Sequence, residues 1–143
     1  MELKNIIETF VSTLSQDNSL KDIMVTPEWP VGREPDSYPA ITVASRGYRR
    51  GSAGMGGLLF AAGSPGATGS KVDTDIHIRI MTPADCGGLY MEDVLDKIIT
   101  ILRGSSLAEF IASISAGNMT YDPSKEVLQQ ALTVNFLAVG EGL

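Results

Sequence analysis

Cysteine, histidine and tryptophan occur once each in this 143-residue chain. A lone Cys86 excludes an internal disulfide, and one cysteine with one histidine supplies no zinc ligand set. No apolar run approaches the roughly 20 residues that cross a bilayer as a helix. Positive charge is scarce as well: 11 Lys and Arg against 17 Asp and Glu leave a net −6, which disfavours nucleic acid as the default partner. The opening MELKNIIETF places acids at positions 2 and 8 and lacks a signal peptide's basic-then-apolar order. The expectation is a chain made and kept in a cytoplasm, without a membrane. A hydrophobic fraction of 43% excludes wholesale disorder, and the length fits one domain over residues 1–143.

Glycine is what the chain has in abundance. Eight of its fifteen glycines lie between Gly47 and Gly69. Between Ala44 and Lys71 there are four basic residues and no acid, so the rest of the chain carries −10.

Hydrophobic periodicity gives the flanking elements. Leu3, Ile6, Ile7, Phe10, Val11 and Leu14 recur at helical spacing and form one stripe of an amphipathic helix. Residues 22–26 read as a short strand. PEWPVGREPDSYP, with four prolines in thirteen residues, reads as an extended connector. Residues 40–46 alternate, with Ile41 and Val43 on one face. Residues 74–81 alternate more sharply, with Ile76, Ile78 and Ile80 opposite Asp75, His77, Arg79 and Met81. A second helix over residues 90–103 carries Val94, Leu95, Ile98, Ile99 and Leu102, and Gly104 is placed to stop it. Ser105 and Ser106 then cap a shorter third helix with the stripe Leu107, Phe110, Ile111 and Ile114. The last strand covers residues 127–139, where Leu137 and Val139 make the second face apolar too.

This order gives an α+β fold: a mostly antiparallel sheet of about four strands packed against two to three helices. A long glycine-rich arm, residues 47–72, is inserted between two strands. Those two strands should pair antiparallel, since no crossover helix joins them. The predicted core is Ile6, Phe10, Ile41, Val43, Ile78, Val94, Ile98, Phe110 and Val134.

The arm, GYRRGSAGMGGLLFAAGSPGATGSKV, invites a phosphate-binding reading and does not support one. In a G-x-x-x-x-G-K-[ST] loop the lysine follows glycine directly, so that it reaches the phosphates. Here Ser70 separates Gly69 from Lys71, and Val72 follows. The dinucleotide spacing G-x-G-x-x-G is absent too. A 26-residue excursion in a compact domain is usually functional, and Leu58, Leu59 and Phe60 would be an association hazard if left exposed. The arm therefore reads as an interface that orders on a partner, with Arg46, Arg49 and Arg50 beside it. Leu137 and Val139 form a second candidate interface.

Catalytic constellations are poorly supplied. His77 lies on a strand's polar face. Asp73 and Asp75 sit at i, i+2 but fall short of the six to eight oxygens of a calcium site. Cys86 in ADCGG lacks a basic neighbour to lower its pKa. Ser64, Ser70 and Ser106 have no identifiable base. The reading is a protein that is not an enzyme and needs no cofactor or metal.

The layout resembles the tail-terminator and tail-completion proteins of tailed bacteriophages. The resemblance rests on the opening helix LKNIIETFVSTL, the strand DIMVT, the connector EWPVGREPDSYPAITV, then DIHIRIMTP leading into LYMEDVLDKIITILRG, and the closing ALTVNFLAV. It implies a structural virion protein that forms a ring, typically hexameric, at the head-proximal end of the tail. It implies contacts with tail-tube and neck or connector proteins, assembly in the host cytoplasm, and no catalytic residues. The arm's arginines would meet an acidic partner ring, or DNA phosphates in the lumen without sequence readout. The alternative is a stand-alone adaptor or assembly chaperone that binds one partner through the arm. A small nucleotide-binding enzyme ranks below both.

Overall fold

The computed structural model describes residues 3–28, 37–52 and 70–140. It has α+β architecture: two α-helices, α1 (Leu3–Ser15) and α2 (Gly88–Arg103), lie with one six-stranded mixed sheet. The strands are β1 (Met24–Pro27), β2 (Ala40–Ser52), β3 (Ser70–Pro83), β4 (Ile111–Ala116), β5 (Thr120–Asp122) and β6 (Val127–Gly140). Their order is β1-β2-β3-β6-β4, and β5 also pairs with β6. The β2–β3 ladder is antiparallel, as the missing crossover required, and so are all the pairings of β6. Only β1 runs parallel to its neighbour, β2.

One face of the sheet is the core face. In successive cross-strand rows it presents Ile41–Ile80, Val43–Ile78–Leu132 and Ile76–Val134. The helices close over it with Ile6, Phe10 and Leu14 from α1 and Met91, Val94, Ile98 and Leu102 from α2, all buried. Phe136 is the centre of an aromatic group, 6.0 Å from Phe10 and 5.6 Å from Phe110 between ring centroids. Eight of the nine expected core residues are buried; Phe110 is only partly so, packed against the cluster.

The expected third helix is not there. Ser105 does cap as anticipated, its Oγ accepting from the Leu107 N–H at 3.2 Å, but what it caps is a 3-10 turn, Ser106–Phe110, that passes directly into β4. The misreading has a specific cause. Ile111 lies opposite Phe136 and Ile114 opposite Val134, so three residues of β4 span two of β6 across a bulge between Ile111 and Ser113. The bulge turns an i, i+3 spacing into two side chains on the same sheet face, which is also what a helix does with that spacing. With β4 and the short β5, the sheet has six strands in place of about four.

The strands also reach into the expected arm. Ladder pairing between β2 and β3 continues to Ser52↔Ser70, and β6 follows to Gly140. Residues 53–69 lie outside the described residues, and with them Leu58, Leu59 and Phe60. Gly104 ends α2 in a right-handed conformation (φ −91°), its N–H donating to the Thr100 carbonyl at 3.0 Å.

Candidate assembly interface

Because the strand period is two, every second residue of β2, β3 and β6 turns away from the helices. This second face carries Ala44 and Arg46 from β2, then Asp73, Asp75, His77 and Arg79 from β3, and Thr133, Asn135 and Leu137 from β6. It is not uniform along its length. Towards Pro83 it is closed, with Ala40, Thr42 and Met81 buried. Met81 was expected on this face and lies on it, yet it is almost wholly shielded. Towards Ser70 the face is accessible, with Arg46 and Asp75 exposed.

A glycine organises the accessible end. Gly47 has φ +66°, a left-handed conformation, and the ladder shifts between Arg46 and Arg49. Gly47 and Tyr48 together lie opposite Thr74, the two-against-one count of a bulge with glycine in its first position. The Thr74 hydroxyl donates to the Arg46 carbonyl at 3.4 Å. The extra residue sets Arg49 opposite Asp73, and Arg50 opposite Val72.

The candidate residues therefore separate into three groups. Arg46 and Leu137 share the second face, with Asp75, Asp73 and Asn135 between them. Leu137 is half-buried and stands opposite Asp73. Arg49, Arg50 and Val139 are placed by backbone pairing at the same end of the sheet, Val139 opposite Lys71. Leu58, Leu59 and Phe60 belong to residues 53–69.

Asn135 was not singled out by sequence reasoning, and it is the hub of this face. Its Nδ2 donates to Asp73 Oδ1 and to Asp75 Oδ1, 3.0 Å in each case. The two carboxylates considered for a cation are thus bridged by a side-chain amide. Among the described residues no group of three or more His, Cys, Asp and Glu side chains gathers at metal-binding distance. The connector contributes too: Glu28 Oε1 lies 2.9 Å from Arg79 Nη2, an ion pair with both members largely buried. His77 sits between these groups. Its pKa is held below 6.5, first by burial and then by Arg46, with Glu28 opposing and Arg79 adding to the fall. At neutral pH the imidazole is uncharged.

Sequence reading also missed three exposed apolar side chains beyond this face. Leu89, Tyr121 and Met119 are 82%, 56% and 36% exposed. Leu89 precedes the stripe of α2 by one residue from the expected start, and β5, which bears Tyr121, is too short for periodicity to register. Cys86 is exposed as well. Among the described residues no helix is long and apolar enough to cross a membrane. No protein-family model matches the chain, and no curated protein matches its sequence.

Proposed function

We propose that the chain is a structural subunit that assembles as a ring, typically hexameric, at the head-proximal end of a phage tail, and there joins the tail tube to the neck. The observation that carries this reading is the long β2–β3–β6 ladder. Its core face is filled by helices, and its second face leaves Arg46, Asp75 and Leu137 accessible or half-buried at the end where the glycine-rich segment departs. An exposed, mixed polar and apolar strip on a sheet is what subunit contacts require: apolar area to bury and charges to set the register. The layout resemblance supplies the tail–neck setting, the tail-tube and connector partners and the virion location, and the geometry is compatible with a role that needs no catalytic group.

Sedimentation of the purified chain, alone and with tail-tube protein, tests the reading. A closed oligomer, or one that forms on the tube, is the expected result. A persistent 1:1 complex with a single partner would replace it with the adaptor reading. Nucleotide-dependent thermal stabilisation without any protein partner would overturn both.

A further inference from the structure

Among the described residues the sheet ends on β4, which pairs with β6 on one side and with no strand on the other. The opposite edge is β1, four residues long and closed by Pro27, which has no N–H to offer. Short edges, prolines and charges are the means by which sheets avoid pairing with further chains. β4 lacks the last two, since the sequence from Phe110 to Tyr121 holds no charged residue and no proline. Its one irregularity, the bulge between Ile111 and Ser113, leaves Ser113–Ala116 in unbroken register with β6.

The direction of the backbone groups follows from a neighbour. The Gly117 N–H donates to the Ala131 carbonyl at 2.9 Å, in step with the ladder that sets Ala116 opposite Leu132. Backbone groups alternate sides along an antiparallel strand. Ser115 therefore turns its N–H and C=O towards β6, and Ile114 and Ala116 turn theirs outward. A row of outward N–H and C=O groups is complementary to another extended backbone. Ala112, Ser113, Ser115 and Ala116 are small and exposed, so no bulky side chain holds a second strand away.

The sequence of the edge is self-complementary. Ala112-Ser113-Ile114-Ser115-Ala116 reads the same in both directions. We infer that β4 pairs antiparallel with β4 of a second copy, about a two-fold axis at Ile114. In that register the two copies exchange N–H···O=C bonds at Ile114, and each Ser113 stands opposite the other copy's Ser115. Ile114 is half-buried and packs against the core, so its counterpart adds an apolar neighbour on the core face. The serines meet on the second face, where Ser113 and Ser115 lie beside Asn135 and Thr133. Apolar and hydroxyl cross-strand pairs both stabilise a sheet, and no like charges are set opposite each other. A two-fold contact closes at two copies, whereas a ring needs a heterologous one. The pairing therefore goes beyond the ring reading and does not depend on it.

The test uses the full chain with Cys86→Ala, so that an introduced cysteine is the only one. Ser113→Cys and Ser115→Cys are made separately. At a non-hydrogen-bonded pair the Cα atoms are about 4.5 Å apart, within reach of a disulfide. Like positions lie on the diagonal at about 7–8 Å, beyond that reach. Oxidation of the two variants mixed together should give cross-linked dimers on non-reducing electrophoresis, and either variant alone should give almost none. Ser113→Lys with Ser115→Lys sets lysine opposite lysine twice. Both serines are exposed, so its far-UV circular dichroism should match the parent, and it should lose the two-copy contact in sedimentation. Efficient cross-linking of Ser113→Cys alone would overturn the register. A mixture that does not cross-link, together with a lysine variant that sediments like the parent, would overturn the contact and leave the ring reading to its own assay with tail-tube protein. Cross-linking in the mixture from a chain that forms no ring, with or without that protein, would sustain the contact while the ring reading fell.

Discussion

Gly47 shows how one residue sets the geometry of the candidate interface. Its φ of +66° is in the region where an L side chain costs roughly 1–2 kcal/mol. Among the described residues, and apart from its chain neighbours, no atom lies within 4 Å of where its Cβ would be, so the requirement they set is conformational and not steric. Gly47→Val should lower stability by about 1–2 kcal/mol in urea denaturation, and Gly47→Asn by clearly less, since asparagine tolerates the left-handed region. Equal losses for the two would mean that packing, not the bulge, selects glycine. His77 gives a second prediction. Its folded-state pKa is depressed, so the folded chain binds fewer protons than the unfolded chain as pH falls below 6.5. The contribution of the neutral imidazole is complete above that value and is lost on acidification through it. Stability should fall between about pH 7 and pH 5, the ordinary histidine range, and His77→Gln should flatten the slope. The groups that face it are Arg46 on β2, Arg79 and Asp75 on β3, and Glu28 on the connector. Asp17 and Asp122 do not blur the reading. Hydrogen bonds from Ser19 and Ser124 hold their carboxyls below 3.8, so their effect is present above that value and is lost only in stronger acid.

Individual elements were legible wherever one period dominated. The stripes of α1 and α2 and the alternation in β2, β3 and β6 each mark one face, and those faces meet in the core. Ile78 is the sharpest case, fully buried between Val43 and Leu132. Ile78→Ala should cost about 2–5 kcal/mol by chemical denaturation. Ile114→Ala should cost less, because Ile114 is half-buried on an edge strand. What periodicity could not give is β4, where a bulge produces helical spacing on a strand, and β5, which is three residues long. The parallel pairing of β1 was not legible either, because register depends on the partner strand and not on the local sequence. The candidate interface was half legible for the same reason. Leu137 stood out because it breaks the alternation of β6, whereas Asn135 matters through Asp73 and Asp75, sixty-two and sixty residues away. Leu137→Thr introduces a β-branched side chain, which suits a strand, and avoids placing an acid opposite Asp73. It should leave the melting temperature nearly unchanged and weaken self-association in sedimentation. A large drop in melting temperature would place Leu137 in the fold's own packing.

At the scale of the whole molecule, the open question is whether residues 53–69 serve the subunit or its assembly. Ser52 and Ser70 are direct partners at the end of an antiparallel ladder, the geometry that a two-residue Asn-Gly turn closes with the right twist. Replacing residues 53–69 with Asn-Gly therefore need not disturb the register of β2 or β3. Shortening the loop also reduces the entropy of closing it, by on the order of 2 kcal/mol if the longer loop behaves as a flexible chain. If the segment contributes nothing to the subunit's core, the shortened chain should melt no lower than the parent. Under the assembly reading, the same chain should fail to form the ring or to join tails, because Leu58, Leu59 and Phe60 bury apolar surface only against a partner, at about 1.5–3 kcal/mol for each fully buried large side chain. Thermal melting and sedimentation of one variant thus separate the two roles. Intact stability with lost assembly assigns the segment to the contact between subunits. Lost stability assigns it to the core of the fold, and the arm would then no longer support assembly.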